Sequence, residues 1–105
     1  MVEGFQKVAS ASEIPSGKVK IAKFMGQEIA IANVEGQFYA FSNRCTHQGG
    51  PVGRGKLTGF AVQCPWHGSK FDIRTGAVLA PPAQTPLPTF AIKVEGGAIW
   101  VKNGS

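Results

Sequence analysis

Residues 45–67 read CTHQGGPVGRGKLTGFAVQCPWH, and this stretch decides what the chain can fold around. It contains both cysteines and both histidines of the protein, as the pairs Cys45/His47 and Cys64/His67 with sixteen residues between them. Thiolates and imidazoles are the side chains that hold zinc ions and iron–sulfur clusters. Because surface histidines would normally scatter along a chain, two mixed pairs in one short window predict a metal centre.

Three arrangements of these four side chains are open: a tetrahedral zinc ion, the two irons of a [2Fe–2S] cluster, or a disulfide between Cys45 and Cys64. Zinc modules of the Cys2His2 type usually pair Cys with Cys and His with His, and a helix follows. Here each pair contains one Cys and one His, and glycines follow both pairs. The adjacent histidines make metal ligation a better explanation than a disulfide.

The pattern C-x-H-x16-C-x2-H, followed by Gly-Ser and an aromatic residue, resembles the Rieske iron–sulfur proteins. The resemblance implies one [2Fe–2S] cluster per chain, with Cys45 and Cys64 on the inner iron and His47 and His67 on the outer iron. It places the two histidines at the tip of the protein, where electrons enter and leave. The proline-rich segment 80–88 also resembles the loop that covers the cluster in this family, and a plain connecting loop is the alternative.

Two features differ from the Rieske proteins of respiratory complexes. Those proteins carry an extra cysteine in each ligand loop and form a disulfide between the loops, whereas the matching positions here are Gly50 and Trp66. They also place a serine and a tyrosine after the second pair, and both hydroxyls bond to cluster sulfur. Ser69 keeps the first hydroxyl and Phe71 lacks the second. We therefore expect a reduction potential below that of the respiratory class.

Short segments of β character separated by glycine turns surround this stretch, and no segment has a sustained 3.6-residue period. The residues alone predict an all-β fold, either a barrel or a sandwich. The resemblance implies a Rieske-like antiparallel β-sandwich with a small cluster-binding subdomain at approximately 43–72. Four prolines exclude a central strand in segment 80–88, and residues 53–59 are expected to form turns. The predicted strands are 5–9, 18–24, 28–32, 38–41, 60–63, 69–73, 90–95 and 98–101.

A length of 105 residues predicts a single domain, 1–105. The net charge is +5, and residues 44–74 carry five basic residues against one acidic residue. These charges are either a solvated face or a ring that steers an acidic partner to the cluster. Nucleic acid is not an expected partner, because the basic residues are separated and no binding motif accompanies them. The start of the chain resembles no signal peptide, and no apolar run could span a membrane. We therefore expect a cytoplasmic protein with no membrane contact. We also expect a monomer.

These features predict a soluble Rieske-type ferredoxin, an electron carrier and not an enzyme. It would pass one electron at a time from a reductase to a terminal oxygenase or another oxidoreductase. No third catalytic group accompanies the four ligands, and there is no nucleotide-binding glycine motif. Two alternatives stay open at this point: a small Rieske subunit of a nitrite-reductase-like complex, and a structural zinc-binding interaction domain.

Overall fold

The computed structural model describes residues 4–46, 49–66, 68–81 and 83–102. The regular structure in these ranges is almost entirely antiparallel β-sheet, which confirms the all-β prediction. Two short 3-10 helices, Ala11–Glu13 and Val52–Arg54, accompany ten strands. The strands are β1 (Gln6–Ser10), β2 (Val19–Phe24), β3 (Gln27–Val34), β4 (Gln37–Ser42), β5 (Lys56–Thr58), β6 (Ala61–Gln63), β7 (Lys70–Asp72), β8 (Val78–Ala80), β9 (Thr89–Glu95) and β10 (Ala98–Lys102).

In the described part of the chain, no helix has both the length and the apolar character that crossing a bilayer requires.

The strands form two sheets. Six of them pair in the order β1-β10-β9-β4-β3-β2, and the two edge strands β1 and β2 also contact each other. This sheet therefore curls almost into a barrel around a first core, which consists of Ala9, Ile14, Phe24, Ile29, Ile31, Ala40, Phe90, Ile99 and Val101. The other four strands form a small sheet in the order β5-β6-β7-β8.

Strand β3 joins the two layers because both of its faces are buried. Successive side chains of a strand point to opposite faces. Ile29 and Ile31 accordingly enter the first core, while Ala30 and Ala32 enter a second core on the other face. Alanines there leave room for the small sheet to pack closely. The second core also contains Phe41, Cys45, Val52, Val62, Cys64, Phe71, Ile73, Ala83 and Leu87.

Every predicted strand overlaps an observed one, but two observed strands were not predicted. Strand β5 lies inside the segment 53–59 that was expected to form turns, so that expectation was wrong for Lys56–Thr58. Strand β8 was not predicted at all. Both are three-residue edge strands of the small sheet, too short to show a period of two in the sequence. The single-domain boundary 1–105 and the subdomain boundary near 43–72 stay predictions.

Candidate metal centre

The first ligand loop, residues 45–50, is closed by two backbone hydrogen bonds. The N–H of Cys45 donates to the carbonyl of Gly50 at 2.8 Å, and the N–H of Gly49 donates to the carbonyl of Cys45 at 2.8 Å. Gly49 has a φ of +78°, a conformation that glycine adopts without the steric penalty of a Cβ. Cys45 is only 3% exposed, so the loop holds its cysteine within the second core.

The second ligand loop repeats this closure. The N–H of Cys64 donates to the carbonyl of Ser69 at 2.7 Å, and the N–H of Gly68 donates to the carbonyl of Cys64 at 3.0 Å. Gly68 has a φ of +82°, and Cys64 is 2% exposed. In both loops the cysteine comes first, a left-handed glycine comes fifth, and the sixth residue accepts the cysteine N–H. The two cysteines therefore occupy equivalent positions in two similar loops.

Gly50 brings the two loops into contact. A Cβ built on this glycine would lie 2.8 Å from the Sγ of Cys64 and 3.0 Å from the indole ring of Trp66. The backbone of the first loop thus packs directly against the thiol and the aromatic ring of the second. Gly50 and Trp66 are the positions that match the inter-loop disulfide of the respiratory proteins. In this chain, a glycine packed against an indole takes the place of that covalent bond.

Asn43 anchors the start of the first loop, and it was not among the site residues predicted from the sequence. It is 5% exposed, its Oδ1 accepts the N–H of Gly53 at 2.7 Å, and its Nδ2 donates to Oε1 of Glu28 at 3.1 Å. Its backbone carbonyl also accepts the N–H of Val52 at 3.1 Å. These bonds tie the chain just before Cys45 to strand β3 and to the 3-10 helix. An asparagine at the end of a strand was the available signal, but asparagine is common at such positions.

The proline-rich segment 80–88 is bonded to both ligand loops. The hydroxyl of Thr46 donates to the carbonyl of Thr85 at 2.6 Å. The N–H of Ala83 donates to the Oγ of Ser69 at 3.0 Å. Because this oxygen accepts the hydrogen bond, the hydroxyl proton of Ser69 is not used in it. These contacts tie the segment to both ligand loops, and the expectation that it covers the centre stays a prediction.

Two of the four predicted ligands, Cys45 and Cys64, are placed by the structure, and both lie in one core. His47, His67 and Pro82 lie outside the described residues. Their assignment, the first two as ligands and the third as part of the covering segment, stays a prediction from the sequence.

Of the five basic residues in segment 44–74, Arg74 differs from the others because its charge is paired locally. Its guanidinium forms an ion pair with the carboxylate of Asp72 at 2.8 Å, and its Cζ lies 4.1 Å from the centre of the Phe60 ring. Side-chain hydrogen bonds from Arg74 lower the pKa of the Asp72 carboxyl below its usual value. The one acidic residue of the window is therefore paired locally, and the charge of Arg74 is neutralised with it.

Basic side chains nevertheless lie beside both ligand loops. Gln63 directly precedes Cys64, and its register partners on the neighbouring strands are Lys56 and Lys70. These two lysines are exposed and stand on the outer face of the small sheet, in the row nearest the second loop. Beside the first loop, the Nε of Arg44 would lie 3.2 Å from a Cβ on Gly49. Arg54, in the 3-10 helix, is also exposed.

This arrangement fits a cluster held partly by thiolates. Two buried cysteines project from equivalent loops, and these loops are joined where Gly50 leaves no space for a side chain. Glycines next to the thiols let the backbone approach closely, and N–H groups near cluster sulfur tune its potential. With two sulfides and two ferric ions, two thiolates give a neutral oxidised site, a charge that a buried position tolerates.

Comparisons with known proteins agree with this geometry. The Rieske [2Fe-2S] domain matches residues 4–91. A ferredoxin component of naphthalene 1,2-dioxygenase/salicylate 5-hydroxylase systems from Ralstonia sp is 35% identical over 102 residues, which are 97% of this chain and 98% of the relative. The biphenyl dioxygenase ferredoxin subunit of Pseudomonas sp. (strain KKS102) is 38% identical over 98 residues, 92% of this chain and 90% of the relative.

Solved structures give the same result. The ferredoxin of carbazole 1,9a-dioxygenase from Nocardioides aromaticivorans IC177 superposes with a TM-score of 0.92 at 27% identity, covering 97% of this chain and 100% of that one. A chain in a complex of reduced oxygenase and oxidized ferredoxin of carbazole 1,9a-dioxygenase superposes with a TM-score of 0.90 at 30% identity, covering 99% of both chains. The predicted Rieske-type [2Fe–2S] cofactor is thereby confirmed. This chain belongs to the Rieske [2Fe-2S] domain family.

Proposed function

We propose that this protein is the ferredoxin component of an oxygenase system and carries one electron at a time from a reductase to a terminal oxygenase. The observation that carries the proposal is the pair of buried cysteines in two equivalent loops, in contact at Gly50. Two relatives that match this chain over at least nine-tenths of their length are ferredoxin components of dioxygenase systems. The protein is then a carrier, and the catalytic step belongs to the oxygenase.

Cys45, His47, Cys64 and His67 are the residues that would hold the cluster. When bound, a Rieske-type cluster supplies a one-electron couple at a higher potential than the all-thiolate [2Fe–2S] cluster of a plant-type ferredoxin. The chain itself keeps both thiolates in the second core and fixes each loop with two backbone hydrogen bonds. Such fixed loops need little rearrangement when the charge of the site changes, which favours fast electron exchange.

The partners would approach with acidic surfaces. Arg44, Lys56 and Lys70 are exposed and lie next to the ligand loops, so a carboxylate-rich partner would be steered toward the site where electrons leave. The rate of electron transfer should then fall as ionic strength rises, because salt screens exposed charges. The proposed compartment is the cytoplasm, where thiols stay reduced and available for iron.

Absorption and spin-resonance spectra test the cluster assignment. The purified protein should be brown-red, contain two irons and two sulfides per chain, and give a rhombic spin-resonance signal on reduction. His47→Ala and Cys64→Ser should each lose this signal, whereas Thr58→Ala, an exposed change on strand β5, should keep it. A colourless protein that holds one zinc ion would establish the interaction-domain alternative instead.

A further inference from the structure

The two ligand loops are alike inside but are held differently at their ends. The second loop, 64–69, lies between strands β6 and β7, and the residues that flank it, Gln63 and Lys70, are register partners in that ladder. The first loop follows β4 and precedes a 3-10 helix, and no pair of strands flanks it among the residues that the structure describes. An isolated antiparallel bridge joins Arg44 to Pro51. The first loop therefore needs a further contact to hold its ends together.

Asn43 supplies this contact. Its Oδ1 accepts the N–H of Gly53 at 2.7 Å, and its backbone carbonyl accepts the N–H of Val52 at 3.1 Å. The chain before the loop and the chain after it are thus bonded through one asparagine. The backbone N–H and the Nδ2 of Asn43 donate to the carbonyl and to the Oε1 of Glu28, at 3.2 Å and 3.1 Å. Asn43 therefore clamps both ends of the loop to each other and to strand β3.

The space around this clamp is small and dry. A Cβ on Gly53 would lie 2.7 Å from the Oδ1 of Asn43 and 2.8 Å from the Cβ of Ala30, so a side chain at position 53 would displace the amide. Asn43 is 5% exposed and Gly53 is buried. A buried N–H that loses its acceptor costs more free energy than the hydrogen bond itself contributed. Without the amide of Asn43, the loop should therefore open more often and let water reach the N–H of Gly53.

We propose that Asn43 is a positioning residue for the metal centre, and that the first ligand loop, held at its ends by this residue, is the place where the centre opens and loses iron. The inference rests on the proposed cluster-carrying function. Proteins open locally where the fewest contacts hold the chain. The ladder between β6 and β7 keeps the second loop closed, so Cys45 should become accessible before Cys64. Asn43 acts here through the position of Cys45, two residues further along the chain.

Asn33 provides a matched control on the same strand. It is 7% exposed, its Oδ1 accepts the N–H of Gly36 at 2.8 Å, and its Nδ2 donates to the carbonyl of Ile14 at 2.7 Å. Like Asn43, it is a buried asparagine that bonds a glycine N–H and a distant segment. It lies about 17 Å further along β3 than Glu28 at the usual rise per residue. Asn33→Ala and Asn43→Ala should therefore lower the thermal midpoint by similar amounts.

Hydrogen-exchange mass spectrometry of the cluster-loaded protein separates positioning from stability. Asn43→Ala should accelerate exchange in residues 44–53 about 5- to 150-fold, the factor that corresponds to leaving one buried N–H without a partner. Exchange in residues 63–70 should stay at the wild-type rate. The half-life of the visible absorbance in excess chelator should shorten by a similar factor, because the chelator reaches iron through the open loop. Asn33→Ala should change neither the exchange in residues 44–53 nor this half-life.

The outcomes separate this inference from the proposed function. An unchanged exchange rate in residues 44–53 of Asn43→Ala, or an equal acceleration of both ligand loops, would overturn the clamp. So would a chelator half-life that Asn33→Ala shortens as much as Asn43→Ala does. Exchange rates can be measured without a cluster. Wild-type protein that contains no iron and sulfide would therefore contradict the proposed function, while the exchange rates would still decide the role of Asn43.

A swap that preserves the net charge covers the case in which Asn43→Ala yields no folded protein. Asn43→Asp keeps the acceptor for Gly53 but sets a carboxylate oxygen against the Oε1 of Glu28, so exchange in residues 44–53 should accelerate. Adding Glu28→Gln returns an N–H donor to this contact, and the rate should return toward the wild-type value. A double variant that exchanges as fast as Asn43→Asp alone would overturn the contact with Glu28 as part of the clamp.

Discussion

Replacing Gly50 with alanine should be the most informative single change to the ligand loops. The φ of Gly50 is not in the left-handed region, so alanine brings no backbone strain and the effect is purely steric. The new methyl group would lie 2.8 Å from the Sγ of Cys64 and 3.0 Å from two atoms of the Trp66 ring. Non-bonded carbon atoms prefer separations of about 3.5–4.0 Å. One of the two loops therefore has to move by several tenths of an ångström or more.

The size of the effect follows from the cost of overpacking. An extra methyl in a well-packed site typically costs about 1–3 kcal/mol. For a domain of this length, 1 kcal/mol shifts the thermal midpoint by about 4–8 °C. We therefore expect Gly50→Ala to lower the midpoint by about 4–24 °C. A cysteine that ligates iron is held in place, so the indole of Trp66 should be the group that moves, and water should reach the thiolate more easily.

Three signals should report this displacement in the cluster-loaded protein: the thermal midpoint by far-UV circular dichroism, the visible circular dichroism of the cluster, and the half-life of the visible absorbance in excess chelator. The midpoint should fall, the visible spectrum should change, and the half-life should shorten. Introducing alanine at position 50 into Trp66→Ala should cost less than introducing it into the wild type, since one of the two contacts is then gone. If Gly50→Ala matched the wild type in all three signals, the close contact between the loops would be refuted.

Three further changes test other contacts of the site. Ser69→Ala removes the oxygen that accepts the N–H of Ala83 in the proline-rich segment. Thermal unfolding should show a loss of about 1–3 kcal/mol in stability, and redox titration should show a lower reduction potential. An unchanged thermal midpoint would contradict the hydrogen bond. Gly55→Ala places a Cβ onto the carbonyl of Gln63, so we expect little folded protein, and normal yield with a wild-type circular dichroism spectrum would count against this close approach. Asp72→Asn removes the ion pair with Arg74, which lowers the pKa of the Asp72 carboxyl; a lowered pKa contributes stability above the unfolded value of about 3.9 and loses it as pH falls. The thermal midpoint of Asp72→Asn should thus lie below that of the wild type at pH 7, and the difference should disappear below about pH 4. A difference in midpoint that does not change with pH would contradict a stabilising ion pair between Asp72 and Arg74.

Long-range pairing accounts for the parts of the fold and site that could not be predicted from the sequence. Strands β5 and β8 have three residues each and exist because β6 and β7 offer them partners. Their own residues carry no periodic signal. Asn43 was missed for a similar reason, since its partners Glu28 and Gly53 lie fifteen residues before it and ten residues after it. The sequence placed Arg74 among the basic residues that could steer a partner. Only the folded chain shows that its guanidinium pairs with Asp72 and lies over the Phe60 ring.

The chemistry of the centre, in contrast, depends on residues that lie close together in the sequence. The identity and spacing of Cys45, His47, Cys64 and His67 predict a donor set of thiolates and imidazoles. The order of these residues, through its resemblance to the Rieske proteins, indicated the cofactor class and the family. The tertiary structure alone decided how the two loops meet at Gly50 and how the β2–β3 turn comes to lie beside them. These arrangements depend on contacts between residues distant in the chain, and only the packing of the two sheets brings those residues together.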